Sequence, residues 1–271
     1  MNVAIQREAT VYDEPEVIAR SAQELVGDLN PQQVEAVQYR GQALLIGAGA
    51  GSGKTRVLTR RIAWILSQFG AWPSQILAIT FTNKAAKEMR ERIEKLAGAG
   101  AEDIWVSTFH SGCAKILRRD IEKLGYTRSF TIYDDDDQMS ALKEILKKLN
   151  IDDKFLPPRE IKGKISDAKN KLLGPQDWFS QSERDYRSQL VYDVYQAYEE
   201  KLKSSNALDF DDLIVKTLEL FAQHPPVLEA YQRKIRYIHV DEYQDTNYAQ
   251  YMLVRLLAAQ SRNLCVVGDD D

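Results

Sequence analysis

The segment GAGSGKT at residues 49–55 combines residue types that bind a polyphosphate. Glycines let backbone N–H groups approach and wrap phosphate oxygens, and a helix beginning there adds the positive end of its dipole. Lys54 can reach the β- and γ-phosphates, and the Thr55 hydroxyl can ligate Mg²⁺. The strict pattern has glycine where this chain has Ala48, which is acceptable if that position needs no positive φ. The segment predicts a nucleotide site, and a glycine-rich turn without a ligand is the alternative.

An acidic pair, Asp241–Glu242, ends the apolar run Tyr237–Val240. Asp241 would hold Mg²⁺ through its water shell, and Glu242 would orient and deprotonate an attacking water. By itself the pair also fits a strand that ends in a solvated acidic turn. Together with the phosphate-binding segment, it predicts an NTPase, because a phosphotransferase has no need of a base that activates water.

Short apolar runs and helical patterns alternate around these residues. The predicted strands are residues 43–46, 76–79, 104–106, 237–240 and 264–267. Strands that alternate with helices favour an α/β fold with a parallel sheet and crossover helices. Between about 111 and 234 the pattern is helical with almost no strand signal, which predicts an all-helical subdomain inserted into the sheet-forming domain. The helices predicted there are residues 112–124, 137–149, 158–172, 186–203, 209–222 and 226–234.

Composition excludes several classes of protein. Of 271 residues, 44% are apolar and 28% charged, which is typical of a soluble globular chain. No apolar run approaches the roughly 20 residues of a membrane helix, and the first residues lack a secretory signal pattern, so we expect no membrane partner. Cys113 and Cys265 belong to no C-x-x-C pair, which fits a reducing, cytoplasmic setting.

The charge is unevenly distributed. Residues 1–28 carry two basic and six acidic residues, which accounts for the whole net charge of −4. We therefore expect residues 1–28 to be an acidic mobile tail, with a short helix near 16–26. Because the remaining residues are balanced, overall acidity does not exclude a nucleic-acid partner.

Six segments occur in an order that is specific to one family. They are LNPQQ (29–33), AGAGSGKT (48–55), TFTNKAA (80–86), STFHS (107–111), DEYQDT (241–246) and VGDDD (267–271). Together they resemble the UvrD/Rep/PcrA helicases, superfamily 1 motors that use ATP to translocate 3′→5′ on single-stranded DNA and unwind duplexes. The resemblance covers residues 29–271.

The resemblance implies a RecA-like P-loop NTPase domain in two parts, 29–110 and 235–271, separated by the helical insertion 111–234. The chain stops inside the third helicase motif. In the family a second RecA-like domain follows and supplies arginines that stabilise the transferring phosphate. The resemblance therefore implies the N-terminal part of a DNA helicase, which by itself is not a competent helicase.

The resemblance also assigns residues to ligands. The residues that it assigns to ATP binding are Gln33, Ala48, Gly49, Ala50, Gly51, Ser52, Gly53, Lys54, Thr55 and Arg56. Gln33 would recognise the adenine edge through its amide. The resemblance assigns Mg²⁺ binding to Thr55 and Asp241, and catalysis to Lys54, Asp241 and Glu242. The residues that it assigns to single-stranded DNA are Thr80, Phe81, Thr82, Asn83, Ser107, Thr108 and His110. Considered alone, Gln33 also fits a solvated helix position, Phe81 a core position and His110 a hydrogen-bonded structural histidine.

The inserted helices contact duplex DNA in the family. Residues 143–171 hold nine basic and five acidic residues, which suits phosphate contacts at a duplex junction but fits a solvated helical surface equally well. The run Asp134–Asp137 fits a helix cap better than an ion site.

Two other classes of function remain open. A small-molecule P-loop kinase would need a lid and an acceptor pocket, and it leaves TFTNKAA and the inserted helices unexplained. A non-catalytic nucleotide- or DNA-binding module fits the isolated chain. RNA is an alternative strand within the helicase class, although nothing in the sequence indicates a contact to a 2′-hydroxyl. DNA-stimulated ATP hydrolysis separates the helicase from the other two classes.

Overall fold

A computed structural model describes residues 21–49, 51–98 and 100–269. The α-helices in these ranges are α1 (Ala22–Val26), α2 (Pro31–Gln38), α3 (Lys54–Gln68), α4 (Asn83–Ala97), α5 (Phe109–Asp120), α6 (Asp135–Lys148), α7 (Pro158–Asn170), α8 (Pro175–Gln181), α9 (Tyr186–Ser204), α10 (Asp212–Gln223), α11 (Pro225–Lys234) and α12 (Tyr248–Ala258). The strands are β1 (Ala43–Gly47), β2 (Ile76–Thr80), β3 (Trp105–Thr108), β4 (Thr131–Ile132), β5 (Ala207–Leu208), β6 (Tyr237–Val240) and β7 (Leu264–Gly268).

Five strands form one parallel sheet in the order β1-β7-β6-β2-β3. All five residues of β2 are buried, as expected for a parallel strand covered on both faces. Each of the five strands expected from the apolar runs is present, and the predicted α/β class is confirmed. The carboxyl ends of parallel strands lie at one edge, so the loops after β1, β2, β3, β6 and β7 meet there.

The helices between β3 and β6 belong to two hydrophobic cores. Helices α5, α10 and α11 contribute residues such as Leu117, Phe221 and Tyr231 to a core shared with β2, β6 and α12. Helices α6, α7 and α9 form a separate core around Leu142 and Val194. The sheet-side core therefore includes helices that the sequence assigned to the insertion, and the domain limits 29–110 and 111–234 stay a prediction.

Four short or late elements were not expected from the sequence. Strands β4 and β5 pair in parallel over only two residues each, too few for a period of two to be visible. Helix α8 has seven residues, and α12 follows the acidic turn after β6. In the described part of the chain, every helix is too short or too polar to span a bilayer.

The segment before residue 29 corrects the predicted tail. Leu25 in α1 is fully buried in the core around α3. Asp28 forms ion pairs with Arg56 and Arg60 of α3. The expectation of a mobile tail up to residue 28 is therefore wrong for residues 21–28, because one apolar side chain and one ion-paired carboxylate attach them to α3. The rest of that prediction, residues 1–20, lies outside the described residues.

Candidate functional site

The loop between β1 and α3 surrounds the ammonium group of Lys54. Gly51 and Gly53 have φ angles of 76° and 86°, in the left-handed region where a side chain is strained. Lys54 opens α3 and is only 9% exposed. Its Nζ donates to the carbonyl oxygens of Ala48 at 2.8 Å and Gly49 at 3.2 Å. The loop thus holds one cation at the beginning of a helix, where the helix dipole is positive.

The alanine that replaces the usual first glycine causes no backbone strain. Ala48 is not among the residues with positive φ, and its N–H donates to the carbonyl oxygen of Gly268 at 3.2 Å. The condition under which alanine is acceptable at this position is therefore met. Ala50, predicted to contact the nucleotide, lies outside the described residues.

Lys54 also has an acidic partner from the end of the sheet. Its Nζ forms an ion pair with Asp269, just after β7. The hydrogen bond to Asp269 raises the pKa of Lys54 despite partial desolvation, so the lysine is charged at neutral pH. A phosphate that binds in the loop must share or displace this carboxylate.

A glutamine connects Asp269 to the acidic turn. The N–H of Asp269 donates to Gln244 Oε1 at 3.1 Å, and Gln244 Nε2 donates to Glu242 Oε2 at 2.7 Å. A Cβ on Gly268 would lie 2.9 Å from Gln244 Oε1, so a side chain at this position would push the glutamine amide out of its present place. The ends of β6 and β7 are therefore joined through side-chain contacts.

The two residues predicted to hold Mg²⁺ touch each other. Thr55 Oγ1 donates to Asp241 Oδ2 at 3.0 Å. Asp241 is 4% exposed, and burial raises the pKa of its carboxyl, although the Thr55 hydrogen bond opposes that shift. A hydroxyl and a carboxylate are oxygen ligands of the kind Mg²⁺ prefers, and this ion usually completes its shell with phosphate and water. Among the described residues, no group of three or more His, Cys, Asp or Glu side chains is suited to a metal.

Glu242 has an unusual backbone conformation. Its φ is 52°, which is uncommon for a residue with a side chain. Its N–H donates to Asp241 Oδ1 at 3.1 Å. This turn directs two successive carboxylates differently: Asp241 points to Thr55, and Glu242 contacts Gln244 at the rim.

A cleft of about 250 Å³ adjoins the phosphate loop and is lined by α2, β1 and α3, including Gln33, Ala36 and Val57. Gln33 Nε2 donates to the carbonyl oxygen of Ser52 at 3.0 Å, so the glutamine lies against the loop and is not free in solvent. Arg56, predicted to contact nucleotide, instead directs its guanidinium to Asp28.

The segments after β2 and β3 lie side by side at the same sheet edge. Thr82 Oγ1 accepts the N–H of Ala85 at 3.1 Å, and Thr108 Oγ1 accepts the N–H of Ser111 at 3.2 Å. Both threonines are therefore N-caps of α4 and α5.

The remaining polar residues of the two segments differ in exposure. Thr80 is almost fully buried and donates to the carbonyl oxygen of Thr82 at 3.2 Å, whereas Asn83 is exposed. Ser107 Oγ is buried and has no hydrogen-bond partner among the described residues.

Aromatic rings line the cleft between these segments. Phe81 is partly exposed and packs edge-on against Phe109, with ring centroids 5.4 Å apart. His110 stacks on Phe210 at 3.8 Å with an interplanar angle of 24°. Burial lowers the pKa of His110 to about 4, so its ring is neutral at neutral pH. Phe81, His110 and Phe210 border a cleft of about 400 Å³, together with Thr82 and other residues.

Phe210 was missed in the sequence. It lies in the stretch Asp209–Phe–Asp–Asp212 at the beginning of α10, and its ring is 53% exposed. A large aromatic residue between acidic residues at a helix start was the available signal, because such a ring is unlikely to be directed into the core. The contact with His110, 100 positions earlier in the chain, and the shared cleft connect Phe210 with the segments predicted to contact DNA.

The basic stretch 143–171 is less available than its composition suggests. Lys169 is 2% exposed and bonded to acidic residues. Lys162 is paired with Asp135.

Asp134 caps α6 and exchanges hydrogen bonds with Asp137, so the expectation of a helix cap there is confirmed.

The sheet is parallel, and a glycine-rich loop follows its first strand. A lysine and a threonine begin the next helix, and a carboxylate at the end of a central strand contacts that threonine. These features define a P-loop nucleotide-binding protein. The family model of the UvrD/REP helicase N-terminal domain matches residues 29–271. The chain therefore belongs to the UvrD/REP helicase family, as the six motifs predicted.

Curated relatives agree with this assignment. The chain is 57% identical over 248 residues to the ATP-dependent DNA helicase PcrA of Bacillus subtilis strain 168, an alignment that covers 92% of this chain and 33% of the relative. It is 56% identical over 248 residues to the ATP-dependent DNA helicase PcrA of Staphylococcus aureus strain Mu50, covering 91% and 34%. The chain spans about a third of the length of the curated relatives it matches.

Proposed function

We propose that this chain is the ATP-binding N-terminal part of a cytoplasmic, ATP-dependent DNA helicase that moves 3′→5′ on single-stranded DNA and unwinds duplexes. The observation that carries the proposal is the shared sheet edge: the Lys54 loop, the Thr55–Asp241 contact and the aromatic cleft all follow carboxyl ends of adjacent strands. A motor needs a mechanical connection between its nucleotide site and its track, and loops that neighbour each other at one sheet edge can pass a movement at one site to the other.

In the nucleotide site, Lys54 binds the β- and γ-phosphates after releasing Asp269. Gln33, beside Ser52, offers a planar amide to an adenine edge in the adjoining cleft. Thr55 and Asp241 hold Mg²⁺, which when bound neutralises phosphate charge. Glu242, on the exposed side of the same turn, accepts a proton from the attacking water.

In the aromatic cleft, Phe81 and Phe210 provide faces for bases. Asn83 and the helix N-termini at Thr82 and Thr108 offer donors for backbone phosphates, with Thr80, Ser107 and His110 supporting the segments. The hydroxyls of Thr82 and Thr108 already cap helices, so contacts from these positions come from backbone N–H groups. Duplex junctions and a second RecA-like domain are the further partners we propose.

The first test uses the whole protein of which this chain is a part. We expect ATP hydrolysis that single-stranded DNA stimulates and that Lys54→Ala abolishes, because the phosphates lose their cation. Lys95→Ala, an exposed lysine in the last turn of α4, is the matched control and retains activity. Hydrolysis indifferent to DNA, or phosphate transfer to a small-molecule acceptor, would contradict the helicase and favour a binding module or a kinase.

The second test uses residues 1–271 and a fluorescein-labelled oligothymidylate followed by anisotropy. Base stacking on an aromatic ring contributes about 1–3 kcal/mol, so Phe210→Ala should weaken binding about 5- to 150-fold. Phe155→Ala removes a ring of comparable exposure, 47% against 53%, and should leave the affinity unchanged. Equal effects of the two substitutions would remove Phe210 from the DNA contact.

A further inference from the structure

A buried ionic cluster lies behind the aromatic cleft. Lys169 Nζ, at the end of α7, is 2.7 Å from Asp209 Oδ2, 2.8 Å from Asp212 Oδ1 and 2.8 Å from Glu199 Oε1. Tyr198 donates its hydroxyl to Asp209 Oδ2 at 3.2 Å. Burial disfavours the charge of Lys169, but Asp212 and Asp209 outweigh it and hold the pKa of Lys169 well above its ordinary value. Removing these charged groups from water is costly, and apolar residues of similar volume often give a fold equal or greater stability. A contribution to stability alone therefore does not account for the cluster.

The two aspartates of the cluster enclose Phe210. The N–H of Asp212 donates to Asp209 Oδ1 at 2.8 Å, and the N–H of Asp209 donates to Asp212 Oδ2 at 3.2 Å. Each carboxylate directs its other oxygen to Lys169. The four-residue turn is therefore closed by its own side chains and fixed to α7, while the ring of Phe210 remains 53% exposed against His110.

Helix α7 is itself attached to the sheet domain next to Lys169. Asn247 Nδ2 donates to Asn170 Oδ1 at 2.6 Å. Asn247 is the N-cap of α12 and accepts the N–H of Gln250 at 2.9 Å. Lys169 thus projects from a helix end that is fixed on the core, which allows it to define the position of the turn at 209–212.

We propose that Lys169 is a positioning residue for nucleic-acid binding: through Asp209 and Asp212 it fixes the turn that presents the Phe210 ring to a base. The inference rests on the proposed contact between Phe210 and DNA. Ordering a residue costs conformational entropy, and a turn ordered before the ligand arrives saves that cost on binding. Lys169 contacts neither nucleotide nor DNA in this arrangement.

The test is a double-mutant cycle in the full chain with Lys169→Met and Phe210→Ala, alone and together. Affinity for labelled oligothymidylate is measured by anisotropy, and affinity for Mg·ADP by calorimetry. We expect Lys169→Met to weaken DNA binding about fivefold or more when Phe210 is present, and less than twofold in the Phe210→Ala background. Affinity for Mg·ADP stays unchanged, which a general loss of structure would not allow.

Lys169→Met leaves three carboxylates without their cation and can prevent folding, which circular dichroism detects. In that case the cycle uses Lys169→Met combined with Asp209→Asn, Asp212→Asn and Glu199→Gln, which removes all four charges but keeps the oxygens that accept the two backbone N–H groups. A loss of DNA affinity that is equal in both Phe210 backgrounds, or no loss, overturns the inference while Phe210→Ala still tests the DNA contact. A wild-type chain with no affinity for the oligonucleotide contradicts both.

Discussion

Thr55 and Asp241 are 186 positions apart in the chain, yet the hydroxyl of one donates to the carboxylate of the other at 3.0 Å. The contact exists because β1 and β6 both neighbour β7 in a parallel sheet and end at the same edge. The hydroxyl therefore stabilises the charged form of a carboxylate that burial makes harder to ionise. Their joint position is what makes the pair a candidate ion site.

Substitutions of the acidic pair should separate ion binding from water activation. Glu242→Gln keeps shape and hydrogen bonding but removes the base, so binding of Mg·ATP is retained and hydrolysis by the whole protein falls by roughly 10²–10⁴. Asp241→Asn should instead weaken the dependence of nucleotide affinity on Mg²⁺. Calorimetric titrations with and without EDTA, beside a steady-state ATPase assay, distinguish the two. Normal hydrolysis by Glu242→Gln would mean that another group positions the water.

The ion pair between Lys54 and Asp269 should compete with nucleotide phosphates. Asp269→Asn frees the lysine for the phosphates, so affinity for ADP without Mg²⁺ should rise about two- to fivefold. Lys54→Ala should weaken it more than tenfold with unchanged circular dichroism. Calorimetry on residues 1–271 measures both. A weaker affinity of Asp269→Asn would show that Asp269 supports the nucleotide.

Helix α1 should contribute to stability although it precedes the family domain. Leu25 is fully buried, and Leu→Ala at such sites costs about 2–5 kcal/mol. Leu45→Ala is the control, because that side chain is 72% exposed and the expected cost is about 0.5 kcal/mol or less. Urea unfolding gives both values. Equal losses would mean that α1 does not pack on α3 in solution.

Acid should destabilise the fold through His239. Burial lowers the pKa of His239 to about 3, and both ring nitrogens lack hydrogen-bond partners among the described residues. A histidine with a lowered native pKa binds its proton first in the unfolded chain, so stability is lost as pH falls below about 6.5. This residue contributes a slope of about 1.4 kcal/mol per pH unit. His239→Gln should reduce the slope of unfolding free energy between pH 6 and about 4 by that amount, and an unchanged slope would contradict the shifted pKa.

Residues 1–271 should not separate DNA strands. The resemblance places phosphate-stabilising arginines on a second domain, and such groups contribute about 10³–10⁵ in rate where they act in trans. A forked-duplex assay with ATP on the purified chain checks this. Unwinding that persists after further purification and disappears in Lys54→Ala would show that one domain is sufficient.

Much of the nucleotide site could be predicted from the sequence because its information is local. A buried parallel strand appears as an apolar run, and the loop after it needs glycine, lysine and threonine at fixed offsets. Residues 43–55 and 237–242 therefore indicated both halves of the site, and the order of six motifs identified the family.

The functions of individual polar and aromatic side chains depended on packing between distant elements. From the composition of residues 143–171, Lys169 was counted as part of a basic surface. In the structure it is buried beside Asp209, 40 positions away, and is the centre of an ionic cluster. The acidic residues around Phe210 indicate an exposed ring, but only its packing against His110 in the tertiary structure places that ring in the cleft. The sequence predicted that Leu25 belongs to an acidic tail, whereas in the structure it is buried against α3. Sequence patterns determine which elements form and which backbone turns are possible, but burial and pairing are set by which elements meet, and only the tertiary structure decides that.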